Sequence, residues 1–160
     1  MTERDRSMSK FTTVIFDLDG TLLYTLDDLT EATNYAMRKC GFPERTLEEV
    51  RAFVGNGIRK LIERAVPENT DKETVEKTLE IFKKYYDIHC NENTRAYDGV
   101  ISLIEDLSKE GYKLAIVSNK VDSAVKELNK IYGKADINIM TSTKNVNLNT
   151  ILGVKNDKLN

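Results

Sequence analysis

The chain has 160 residues, 40% of them hydrophobic and 31% charged, with a net charge of −2. That length suits one domain, or one core carrying a modest insertion, and the composition excludes a disordered or membrane-spanning chain. The near balance of charge supplies no electrostatic footprint for nucleic acid. Met1 to Lys10 is polar and charged and lacks the apolar h-region of a secretory signal, and no apolar run reaches the ~20 residues of a membrane span. The expectation is a cytoplasmic protein with neither a nucleic-acid nor a membrane partner. Cys40 and Cys90 stand far apart without a CxxC pair, so buried free thiols are expected. His89 is the sole histidine, which excludes a multi-histidine metal site or a Ser-His-Asp triad within one chain.

In chain order, the β-branched and aromatic run Thr12 to Phe16 reads as a strand buried on both faces. Asp17 and Asp19 follow, one residue apart, before Gly20. A strand continuing through them would set both carboxylates on one face; a turn starting at Asp17 would gather them at the strand's C-terminal end, where open α/β sheets bind ligands. Two acids so close repel unless a cation sits between them, and hard oxygen donors of this kind suit Mg²⁺. The same residues also fit a plain Asp-Gly turn.

The next ~70 residues carry helical periodicity. Leu29, Ala32, Ala36 and Cys40 stripe a first helix behind Asp27 and Asp28, closed by Gly41 and Pro43. Thr46 and Glu49 form a capping box for a second, and Gly55-Asn56-Gly57 precedes a third carrying Ile58, Leu61, Ile62 and Ala65. Thr70 and Glu73 form another box before Val75, Leu79, Phe82 and Tyr86. Residues 91–98 read as a polar linker. A helix through Val100, Leu103, Ile104 and Leu107 then leads to a buried strand, Lys113 to Val117, ending in Ser118-Asn119-Lys120. A further helix from Val121 to Tyr132 and a weak strand, Ile137 to Met140, follow. Strands alternating with helices imply parallel βαβ units. The fold class is therefore α/β: an incomplete Rossmann-like parallel sheet of about three strands with an inserted four-helix cap. The core takes residues 1–23 and 96–160, and the cap 24–95.

Asp17-Leu18-Asp19-Gly20-Thr21-Leu22 directly after an apolar strand resembles the first motif of the haloacid dehalogenase superfamily of phosphohydrolases. Phe53 to Ala65 and Asp98-Gly99-Val100 resemble its helical-cap, phosphoglycolate-phosphatase-like members, and the likeness covers roughly residues 11 to 140. The resemblance implies Asp17 as the nucleophile on phosphorus, Asp19 as general acid and base, and both as Mg²⁺ ligands. It implies that Ser118 holds a phosphoryl oxygen, with Asn119 helping through its amide and Lys120 and Lys144 through charge. In the cap, exposed amides at Gly57 could hold an anion, and Arg59 could reach a substrate carboxylate or be a plain surface arginine. The implied partner is a small phosphorylated metabolite, and the linkers near Leu23 and Arg95 would act as hinges for cap closure.

The sequence also departs from that pattern. Tyr24-Thr25 stands where many relatives have an Asp-Ser pair. The family's third-motif lysine is usually followed by proline, and none follows Lys144; no late acidic pair accompanies Asp136 or Asp157. A sheet lacking its last strand would leave the first strand's edge open to self-association, so a family member lacking its C-terminal part is expected. Two functions follow: an Mg²⁺-dependent phosphomonoester hydrolase, or a catalytically incomplete fragment that binds phosphate or metal weakly or needs a partner chain.

Overall fold

The computed structural model describes residues 11–118 and the backbone of residues 137–141. Its larger sheet is parallel, in the order β1 (Thr13–Phe16), β4 (Lys113–Ser118), β5 (Ile137–Thr141). Ile15 of β1 lies beside Ala115, and Ile116 beside Ile139. The short strands β2 (Leu23–Tyr24) and β3 (Arg95–Ala96) pair antiparallel, so the chain enters and leaves the helical layer along a single two-stranded ribbon. The helix expected from Val121 to Tyr132 lies outside the described residues.

Four helices lie between those two passages: α1 (Leu26–Cys40), α2 (Leu47–Phe53), α3 (Gly57–Ala65) and α4 (Lys72–His89). Acids in the first turn of α1 (Asp27, Asp28) and bases in its last (Arg38, Lys39) match the helix dipole. Gly41 ends it at φ 72°, where the left-handed region suits glycine. The box at α2 forms as its sequence implies: Glu49 N donates to Thr46 Oγ1 at 3.2 Å, and Thr46 N donates to Glu49 Oε2 at 2.7 Å. At α4 the cap moves one residue along. Asp71, whose carboxylate is the stronger acceptor, takes the Thr74 amide at 2.9 Å, and the Thr70 hydroxyl turns onto the Pro67 carbonyl instead.

The helices bury a shared core through Ala36, Met37, Val50, Ile62, Leu79 and Phe82. A separate cluster of Leu18, Leu22, Leu23, Ile104, Leu114 and Ile116 joins the sheet to α5 (Val100–Lys109). The polar linker before β3 is ordered by one buried acid near the start of α1. Asp28, 4% exposed, accepts from the amide and side chain of Asn93 at 2.8 and 3.0 Å and from the amide and hydroxyl of Thr94 at 2.8 and 2.7 Å.

The first strand departs from the expectation of burial on both faces: Ile15 is 46% exposed. Among the described residues β1 has a partner strand on one side only. Neither Cys40 nor Cys90 forms a disulfide, and Cys90 is buried while Cys40 is half-buried. His89 stacks on Tyr85 near the surface, with Glu92 2.6 Å from its Nδ1. No described helix is long and apolar enough to cross a membrane.

Candidate active site

Beyond Phe16 the chain winds around one carbonyl. The amides of Thr21, Leu22 and Leu23 all donate to Leu18 O, at 3.3, 3.0 and 3.1 Å. Gly20 makes the reversal at φ 78°, a conformation that a side chain would strain. β1 ends at Phe16 and the chain bends at Leu18, which is buried in the sheet cluster, while Asp17 and Asp19 on either side of it face a common cavity.

Register brings the third group to them. Phe16 pairs with Ile116, so β1 and β4 run out together, and Ser118, 3% exposed, ends β4 at the same rim as Asp17. Asp17, Asp19 and Ser118 line one cavity of ≈ 220 Å³, closed from the helical side by Gly55, Gly57 and Ile58. The sequence motifs from both ends of the described chain therefore meet in one place.

The surroundings hold these groups in position. Thr25, 3% exposed, donates its hydroxyl to Asp19 Oδ1 at 2.5 Å, and so is not available to cap α1. Arg64 on α3 reaches back over the glycine loop, its Nη1 donating to Phe53 O at 2.7 Å and its Nη2 to Asn56 Oδ1 at 3.0 Å. Burial pushes the Tyr86 phenol well above the ordinary tyrosine value, with the charge of Asp19 adding to the rise; the ring is thus neutral beside the acid. Burial and the hydrogen bond to Asp27, 3.1 Å, also raise Tyr24.

The residues expected from sequence are not all in this cavity. Gly57 lines it. Arg59 does not: it forms a two-pronged ion pair with Glu76 of α4 on the surface, its Nη2 3.0 Å from Oε2 and its Nη1 closer still to Oε1, with both side chains 52% exposed. Its guanidinium is committed to that carboxylate, which fits the surface-arginine reading. Asn119, Lys120 and Lys144 lie outside the described residues. Sequence reasoning missed Thr25 as a partner of Asp19 and passed over Arg64; no periodicity marks either, and each acts across a turn or between helices.

The donor chemistry at the cavity is two carboxylates and a hydroxyl. Among the described residues no cluster of three or more His, Cys, Asp or Glu side chains could hold a metal by itself. Two carboxylates with open space beside them suit Mg²⁺, which keeps waters and takes substrate oxygens alongside a few protein ligands.

A parallel sheet presenting acids beyond the carboxyl ends of its strands defines the class, an α/β protein with a ligand site in the usual place for that architecture. The chain belongs to the haloacid dehalogenase-like hydrolase family, whose pattern matches residues 14–149. It is 35% identical to a phosphoglycolate phosphatase of Aliivibrio fischeri over 121 residues, 72% of this chain and 53% of that one. It is 38% identical to a phosphoglycolate phosphatase of Pseudomonas syringae over 120 residues, 72% of this chain and 44% of that one. The fold superposes on a Haemophilus somnus crystal structure, described as a predicted phosphoglycolate phosphatase, with a TM-score of 0.81 at 27% identity, covering 88% of this chain and 66% of that one. The chain thus spans about half the length of the curated relatives it matches.

Proposed function

We propose that this protein is an Mg²⁺-dependent phosphatase that hydrolyses a small organic phosphomonoester of the phosphoglycolate kind through a phosphorylated Asp17. The observation that carries the reading is the meeting of Asp17, Asp19 and Ser118 in one cavity beneath the glycine loop of the helical layer.

Asp17, at the cavity wall, supplies a carboxylate oxygen to phosphorus as the bond to the leaving alkoxide breaks. Asp19 gives that alkoxide its proton; as a carboxylate it then takes a proton from water, whose oxygen attacks the phosphoaspartate, freeing inorganic phosphate and restoring Asp17. Ser118 donates its hydroxyl to a phosphoryl oxygen. Asp17 and Asp19 would hold Mg²⁺, which when bound neutralises charge on the phosphoryl group. The cap excludes bulk water from the reacting atoms. Support for the phosphoglycolate class comes from the relatives and from the small volume of the cavity, ≈ 220 Å³. We place the reaction in the cytoplasm, in keeping with a soluble metabolite and with thiols that form no disulfide.

The test is hydrolysis of 2-phosphoglycolate and of p-nitrophenyl phosphate with Mg²⁺. The wild type is expected to turn over at least one of them, and Asp17→Asn or removal of divalent cation to bring the rate to background. Equal rates for wild type and Asp17→Asn would overturn the reading.

A further inference from the structure

Six arginines lie among the described residues, and the structure accounts for the guanidinium of each except one. Arg38 is tied to Glu31 and Glu44, Arg45 to Glu49 and the Ala65 carbonyl, and Arg59 to Glu76. Arg64 holds the glycine loop, and Arg95 pairs with Asp27 while lying 4.2 Å over the Tyr24 ring. The Arg51 side chain, at the last turn of α2, makes no hydrogen bond or ion pair with any described residue.

Its position is not that of an ordinary surface cation. Arg51 lines a second cavity of ≈ 420 Å³ together with Asp19, Tyr24, Thr25 and Tyr97. That cavity shares Asp19, Leu29 and Val54 with the one holding Asp17 and Ser118. Asp19 therefore stands between two compartments. On one side are the nucleophile and the hydroxyl at the end of β4; on the other is open space with an uncommitted guanidinium. In a phosphomonoester the atom that Asp19 must protonate is the bridging oxygen, so the organic part of the substrate extends past Asp19, away from Asp17. It enters the compartment that Arg51 lines.

We propose that Arg51 is the residue that selects for an anionic group, a carboxylate, on the leaving-group side of the substrate. The proposal rests on the phosphatase reading above and transfers to Arg51 the role that sequence alone suggested for Arg59. A guanidinium presents paired donors matched to a carboxylate, and a lysine in its place keeps the charge but loses the fork. Besides Asp19, Tyr24 and Thr25, the walls are the apolar or aromatic Leu26, Leu29, Val54 and Tyr97, surroundings of low dielectric in which one charge-assisted contact is strengthened.

The experiment compares wild type, Arg51→Gln and Arg51→Lys on 2-phosphoglycolate and on ethyl phosphate, which has a tail of the same length without the carboxylate. The ratio of kcat/KM for the two substrates is expected to fall about 10- to 100-fold in Arg51→Gln, the loss of one hydrogen-bonded charge contact, with partial recovery in Arg51→Lys. An unchanged ratio overturns the proposal. A binding arm separates this from failure of the catalytic reading: 2-phosphoglycolate is titrated by calorimetry into Asp17→Asn and into Asp17→Asn/Arg51→Gln. Binding weakened about tenfold or more by the second change supports Arg51 even if the wild type shows no turnover, whereas equal affinity, or no binding by either protein, refutes it. Matching melting temperatures for Arg51→Gln and wild type confirm that the exposed substitution leaves the fold intact.

Discussion

The smallest unit of the site is the bond from Thr25 to Asp19, 2.5 Å long and buried on the threonine side. A hydroxyl that donates to one carboxylate oxygen restrains the plane of the carboxyl group. Thr25→Val, which keeps the shape and removes the donor, is expected to lower kcat about tenfold or more with a smaller change in KM, while Thr25→Ser retains most of the rate. A Thr25→Val enzyme with wild-type kcat would show that Asp19 is oriented by other contacts. This pairing was hidden in the sequence, where Tyr24-Thr25 stood out only as a departure from an Asp-Ser pair. By contrast Asp17, Asp19 and Ser118 were legible, because each ends an apolar strand and the strands of one parallel sheet must finish on the same rim. Arg59 was singled out and Arg51 was not, although what commits Arg59 is Glu76, a residue on another helix.

At the scale of elements, the four helices and the long strands were readable from apolar spacing, and the misreadings concern pieces too short to show any period. β2 and β3 are two residues each and carry no alternation; they exist because Asp28 and the ribbon pairing draw the entering and leaving chain together. The choice between Thr70 and Asp71 as the cap of α4 turned on acceptor strength, not pattern. Cap chemistry also sets a pH dependence. The bond from the Thr46 amide, with Arg45 nearby, holds Glu49 below its ordinary value of 4.5, and the Thr74 amide does the same for Asp71, ordinarily 3.8. Both groups bind protons less readily in the folded state, so their contribution is complete above those ordinary values and is lost as pH falls through the lowered ones. The melting temperature of wild type should therefore exceed that of Glu49→Gln at pH 7, with the gap closing as the solution is acidified below about 4.5. A gap that stays constant with pH would show that the Glu49 charge adds nothing to the cap.

For the molecule as a whole, the side of β1 that carries no partner strand among the described residues is the feature with the widest reach. Among the described residues its other neighbour is absent, while Ile15 is 46% and Phe11 70% exposed beside it. An apolar strand with a free row of amides and carbonyls is a template for a second chain. Sedimentation of the protein is expected to show concentration-dependent association that Ile15→Lys weakens; a monomer at every concentration would contradict it. One consequence of the aromatic groups is optical. The chain has seven tyrosines and no tryptophan, so its emission is pure phenol fluorescence, undisturbed by a stronger indole. Two of those fluorophores, Tyr24 and Tyr97, meet edge to face with centroids 6.1 Å apart at the wall of the compartment beside Asp19. An occupant of that compartment would alter the quenching of both rings, so the molecule carries a built-in, label-free reporter of what enters it.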